Sequence, residues 1–170
     1  MVHFHIWRPG LIVLSTCLGC LCACAAQGEA PETPPDASHW RLVAAPYTHH
    51  FRYSAEHRPV WALGLERQHD NGWLGGASFF KNSFGQPSGY AYFGRRHDGK
   101  LMPAPLYVQW SAGIMYGYKG KYQTKVPLNF GGYSPGLLVS LGWQVDRHFS
   151  VQLNMLGDAA VMLQIGHAWR

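Results

Sequence analysis

The sequence predicts an all-β protein: an eight-stranded antiparallel transmembrane β-barrel with a short N-terminal periplasmic or interfacial segment. Three observations carry this expectation: an export signal at the amino terminus, a period-two hydrophobic pattern, and a strand face free of charge. Side chains at every second position share one face of a strand. Leu137, Val139, Leu141, Trp143 and Val145 alternate with Leu138, Ser140, Gly142 and Gln144. Phe149, Val151, Leu153 and Met155 alternate with Ser150, Gln152 and Asn154, and Val161, Leu163, Ile165 and Trp169 with Met162, Gln164, Gly166 and Ala168. The first set of each strand is apolar and contains no Lys, Arg, Asp or Glu, while the second is mostly small or polar. A membrane barrel turns the apolar face to lipid and keeps a polar interior. A periplasmic lipocalin-like barrel would turn the same face inward, and alternation alone leaves both open.

The amino terminus points to export. Arg8 precedes an apolar run over residues 11–24, too short to span a bilayer as a helix, which ends in Ala23-Cys24-Ala25-Ala26. Residues 1–25 are therefore expected to be a signal peptide. Leu21-Cys22-Ala23-Cys24 also fits a lipoprotein cleavage box with Cys24 lipidated. All four cysteines (Cys17, Cys20, Cys22 and Cys24) lie in this segment, so no disulfide is expected in the mature chain. Residues 26–45 are expected to form a periplasmic lead-in, rich in Pro, Glu and Asp, with a possible short amphipathic helix over residues 39–43. Residues 46–170 form the barrel, one domain by length.

The strands follow in order. Tyr47, Phe51 and Tyr53 alternate with Thr48, His50 and Arg52, and Trp61, Leu63 and Leu65 with Ala62, Gly64 and Glu66. Residues 73–80 and 88–95 are aromatic and Gly-rich. Val108, Trp110, Ala112, Ile114, Tyr116 and Tyr118 alternate with Gln109, Ser111, Gly113, Met115 and Gly117. With the three terminal strands these make eight, an even number as bacterial barrels require. Asp70-Asn71-Gly72 and Asp146-Arg147 read as tight periplasmic turns. Longer outer loops then fall at residues 54–59, 81–87, 119–133 and 156–159, while the 95–104 connection is long for a periplasmic turn. Trp61, Trp73, Trp110, Trp143 and Trp169 lie near strand ends, where an aromatic girdle belongs. Gly64, Gly76, Gly113, Gly117, Gly142 and Gly166 on the inner face would leave room for a ligand, with Leu74, Phe80, Met115 and Met162 as apolar lining.

On the outer half, Arg52, Arg58, Lys81, Lys119, Lys121 and Lys125 face the acid Glu56. Such a rim suits an anionic surface such as phosphorylated lipid A, or simply keeps the loops solvated. The parity of the first strand turns His50 inward with Thr48 and Arg52, and His49 outward with Tyr47 and Phe51. Topology brings Lys81-Asn82-Ser83 to the same end. An inward His beside a Ser hydroxyl is a base and nucleophile pair, although ten histidines make a coincidence easy. No metal site is expected, because the histidines lack cysteine or carboxylate partners at ligand spacing. Export argues against nucleic acid despite the formal net charge of +5.

The run from Trp40 to Phe84 resembles the lipid A palmitoyltransferase (PagP) family. It has Pro46 just before the His, Arg58-Pro59 opening the second strand, Asn71-Gly72 before Trp73, and Phe80-Lys81-Asn82-Ser83-Phe84 in place of the family's Phe-Lys-Asp/Asn-Ser-aromatic signature. The likeness continues through Trp110-Ser111-Ala112-Gly113, Val126-Pro127-Leu128 and Tyr133-Ser134-Pro135-Gly136. The resemblance implies a monomeric outer-membrane barrel that moves a palmitoyl-like chain from a phospholipid donor to lipid A, without a cofactor. Carried over by motif, the catalytic residues are His50 (or His49), Asn82 and Ser83, and the resemblance implies lipid entry where Pro46, Pro59, Pro127 and Pro135 interrupt strand pairing. Asn82 stands where the family has Asp; it can orient an imidazole but cannot balance its developing charge. Arg52, Lys81, Lys119 and Lys121 are the candidate substrate-binding residues. A lipid esterase using the same pair, or a non-catalytic lipid-binding barrel, are the alternatives.

Overall fold

The computed structural model describes residues 38–99 and 101–170. The expected signal peptide, Cys24 and most of the lead-in lie outside the described residues. Eight strands form a closed antiparallel barrel in sequence order: β1 (Ser38–His50), β2 (Ala62–His69), β3 (Trp73–Lys81), β4 (Pro87–Asp98), β5 (Leu106–Tyr116), β6 (Tyr133–Gln144), β7 (Phe149–Leu156) and β8 (Ala160–Trp169). A 3₁₀ turn, Gly120–Lys125, is the one helical element among the described residues. Closure comes from β1 pairing with β8, which leaves no open edge. We call the end holding His50 the upper rim and the end holding Ser38 the lower rim.

The expected boundary at residue 46 and the short helix at 39–43 are both corrected, because β1 already begins at Ser38. Arg41, Val43 and Ala45 are buried, while Trp40 and Leu42 are exposed, and the stretch pairs with β2 and β8 at once. The Arg41 side chain, which reads from sequence as an interfacial charge, is drawn inside by Glu66 (2.7 Å). The fourth strand also runs on to Asp98 and the fifth starts at Leu106, so the connection between them shortens to residues 99–105. Arg96 explains the extension: it points inward over the Tyr107 ring, 3.4 Å from its centroid, and donates to Asp98 and Gln144.

The terminal strands keep the predicted facing. Their apolar set is on the outside, up to 66% exposed at Leu137 with Val161 and Leu163 half-buried, and Ser140, Ser150, Gln152 and Asn154 are buried within. The tight turns are also where expected. Asn71 Oδ1 accepts from Trp73 N–H, and Gly72 adopts φ 88°, a conformation glycine reaches without a Cβ penalty. Asp146 Oδ1 accepts from His148 and Phe149 N–H (2.7 and 2.8 Å), which holds its carboxyl below the usual range.

The interior divides in two. The lower half is filled by side chains around Glu66, which accepts from Arg41, Tyr92 and Gln109. Arg41 also donates to Ser150, and Tyr107 to Gln152. Three of the glycines expected to leave ligand space instead admit these groups: Gly142 lies against the Tyr107 ring, Gly166 against Arg41 and Ser150, Gly76 against Tyr92. The main cavity lies in the upper half.

A buried ion pair broken on one side leaves an unpaired charge. Glu66→Gln or Arg41→Met alone should destabilise the barrel by about 3–5 kcal/mol, and the Arg41→Met/Glu66→Met double variant by much less. Urea unfolding of the four proteins side by side checks this.

Candidate active site

The site begins with an irregularity in β1. Opposite β8, Ala44 pairs with Ile165 but Tyr47 pairs with Leu163, so one extra residue is inserted around Pro46. A bulge of this kind reverses facing beyond it. Below it the odd-numbered Arg41, Val43 and Ala45 point inward; above it Thr48 and His50 do, and His49 is exposed. Pairing of β1 with β2 stops at Ala45 and Ala62, so residues 46–50 are held by β8 alone. The 51–61 loop fills the space above β2 and is tied across by Arg58 N–H to the Ser83 carbonyl (2.8 Å).

At this upper rim His50 Nε2 lies 2.7 Å from Ser83 Oγ, with Ser83 buried and His50 half-buried. The spacing is a short hydrogen bond: with the Nδ1–H tautomer, Ser83 donates to Nε2, the geometry of a hydroxyl facing its base.

Asn82 does not orient His50. Fully buried, it accepts Phe84 and Gln86 N–H through Oδ1 (both 3.0 Å) and donates from Nδ2 to Gln86 Oε1. These bonds close a tight turn with Gly85 at φ 77°, whose N–H donates to the Asn82 carbonyl. Asn82 thus fixes the backbone that presents Ser83.

Two residues near the pair went unread in sequence. His57 packs against His50 with the rings tilted and their centroids 4.3 Å apart, and meets Phe84 edge-on. Its signal was available, since the 54–59 loop was expected at this rim. Tyr118 was expected on the outer face of the fifth strand, but β5 ends at Tyr116 and the chain turns at Tyr118 with φ 20°. Its hydroxyl reaches the Ser83 side chain; burial pushes the phenol above its ordinary value, opposed by that hydrogen bond. Beyond the strand end alternation carries no information, so parity placed it wrongly.

His50 and Ser83 lie in the wall of a cavity of about 980 Å³ that occupies the upper half. Val43, Ala45, Phe80, Met115, Leu138 and Met162 give it apolar walls. Below, the stacked Tyr90 and Tyr92 rings (4.9 Å) and the Glu66 network close it. Thr48 Oγ1 also borders it, buried without a hydrogen-bond partner.

The four candidate substrate-binding cations are dispersed. Arg52 borders the cavity mouth and reaches Asp158 (3.4 Å). Lys121 pairs with Glu56 (3.3 Å), Lys119 lies over the Tyr116 ring, and Lys81 faces a separate cleft on the outer wall. Lys125, not selected from sequence, does border the cavity. Among the described residues no group of three or more His, Cys, Asp or Glu is placed to hold a metal.

Comparison with protein-family models, with curated proteins and with solved structures finds no match to this chain. The class defined by the coordinates is therefore an eight-stranded closed barrel with a His–Ser pair at the mouth of a one-ended apolar cavity.

Removing the Asn82 side chain orphans two backbone donors. Asn82→Ala should cost about 1–3 kcal/mol and expose the 82–86 loop to limited proteolysis, whereas Asn82→Asp keeps the Oδ1 acceptor for both N–H groups and should remain resistant.

Proposed function

We propose that this protein is an outer-membrane acyltransferase, moving a fatty acyl chain from a phospholipid to lipid A. The observation that carries the reading is the 2.7 Å His50–Ser83 contact at the mouth of a cavity shaped for a chain. Its volume of about 980 Å³ is at the upper end of ordinary ligand pockets. The walls are apolar, one end is open and the other closed, so an acyl tail enters with its ester at the rim.

The outside of the barrel supports the membrane part of the proposal. An uninterrupted exposed apolar belt is far larger than soluble monomers tolerate. Charged residues on the outward face of the strands are confined to Arg67 and Arg95 near the lower rim and Lys81 at the upper. Trp40, Trp73, Trp143 and Trp169 ring the lower end, and Tyr47, Trp61, Tyr116 and Tyr133 the upper, as interfacial girdles do.

In the proposed reaction His50 Nε2 takes the proton from Ser83 as Oγ attacks the donor ester carbonyl, or from the acceptor hydroxyl that Ser83 holds. On the first path the ester C–O bond breaks, the lysophospholipid leaves as the alcohol with that proton, and a lipid A hydroxyl then takes the acyl group from Ser83, its proton returning to Oγ through His50. On the second the hydroxyl displaces the lysophospholipid directly. Tyr118 steadies Ser83 from the other side. The resemblance of the Phe80–Phe84 segment to the lipid A palmitoyltransferase family points to the same chemistry.

Mass spectrometry of lipid A from cells with and without the protein tests this. Wild type should add one acyl chain; Ser83→Ala and His50→Ala should lower transfer by about 10²–10⁴-fold, and His49→Ala should stay near wild type. Tyr118→Phe should lose about 2- to 10-fold, the equivalent of one neutral hydrogen bond. Net release of fatty acid without a lipid A product would instead make it an esterase. For the membrane part, Leu153→Arg at mid-belt should cost about 2–4 kcal/mol in bilayer-supported folding, and no effect there would argue for a soluble barrel.

A further inference from the structure

A second cleft, of about 420 Å³, lies on the outer wall and is lined by Arg58, Pro59, Trp61, Lys81, Phe84 and Gly85. Its two cations are exposed, and among the described residues neither has an ion-pair partner. That sets them apart from Arg52, Lys121 and Arg96, which pair with Asp158, Glu56 and Asp98. Two unbalanced charges bordering one cleft attract an anion, and a guanidinium with an ammonium matches the several oxygens of a phosphate.

The remaining walls are apolar and lead downward. Trp61 stands outward at 43% exposure against Phe79 (centroids 5.9 Å apart), with Leu63 exposed beyond it on β2. A ligand filling the cleft and continuing along this face is anionic at the upper end and apolar below. The cleft also backs directly onto the reactive loop, because Arg58 N–H donates to the Ser83 carbonyl and Lys81 precedes Asn82. Ser83 Oγ faces the cavity on the other side of the wall.

We infer that Arg58 and Lys81 form a docking site for the phosphate of a membrane lipid, with the lipid's acyl chains lying over Trp61 and Phe79. The site rests on the membrane reading of the belt and not on the transfer chemistry. It holds a phosphate lipid beside the Ser83 loop, outside the cavity.

The test uses the full chain in uncharged maltoside micelles, titrated with dihexanoyl phosphatidic acid and followed by the Trp61 indole N–H in NMR, assigned with Trp61→Phe. Saturable binding is expected, weakened at least about tenfold in Arg58→Gln/Lys81→Gln and unchanged in Arg147→Gln at the opposite rim. Dihexanoylglycerol, which lacks the phosphate, should not shift the signal. Inorganic phosphate binding as tightly as the lipid would overturn the lipid assignment in favour of a free-anion site. Equal affinity in wild type and the double variant would overturn the site itself. Ser83→Ala should bind as wild type does, so an absence of acyl transfer and an absence of docking are read separately.

Discussion

The single inserted residue around Pro46 is the constraint on which the upper rim depends. A strand of strict period two that buried Arg41 against Glu66 would turn His50 outward and His49 into the barrel. The bulge permits both the lower ion pair and the upper imidazole to point inward. Proline suits that position, since it has no N–H to give to a ladder, and the pairing of β1 with β2 stops immediately before it. From there β1 follows β8 alone, and the freed side is where the 51–61 loop comes in with His57 and Arg58.

The division of the interior follows from the same arrangement. A closed eight-stranded ring has room for side chains or for one small ligand, not for both at the same level. In the lower half Arg41, Tyr92, Tyr107 and Gln109 converge on or around Glu66, and the small residues opposite them are what allow such large groups to fit. This network anchors the staves against each other, so the upper half tolerates a cavity and a partly unpaired strand. Stability is concentrated at one end and binding space at the other.

That division also decides what sequence could reveal. The terminal strands were legible because Leu137 to Val145 and Phe149 to Met155 alternate without interruption and carry no charge outward. The start of β1 was not: Trp40-Arg41-Leu42 has the composition of an interfacial segment, and nothing local announces that Glu66 is the partner of Arg41. His50 and Ser83 were legible as a pair because parity held within the short stretch above Pro46, with no need to count through the bulge. The part of Asn82 was hidden because its spacing from His50 is the same whether its amide points at the imidazole or at its own turn. The Asn-x-x-Gly pattern over Asn82 to Gly85 did carry the turn reading, through the preference of Asn for hydrogen-bonding the backbone two residues on.

With Asn82 committed to the loop, the proposed pair has no buried carboxylate hydrogen-bonded behind the imidazole. The acids in the neighbouring upper loops are Glu56 and Asp158, both exposed and engaged with Lys121 and Arg52. A proton taken by His50 therefore has to be stabilised by other means. The half-buried position of the ring at an open mouth leaves it in reach of water, which can solvate part of a transient charge. Burying it further would require the missing carboxylate. Tyr118 lies on the other side of the hydroxyl, a half-buried phenol that reaches the Ser83 side chain. An amide at position 82 is compatible with this arrangement because its work is to hold the turn.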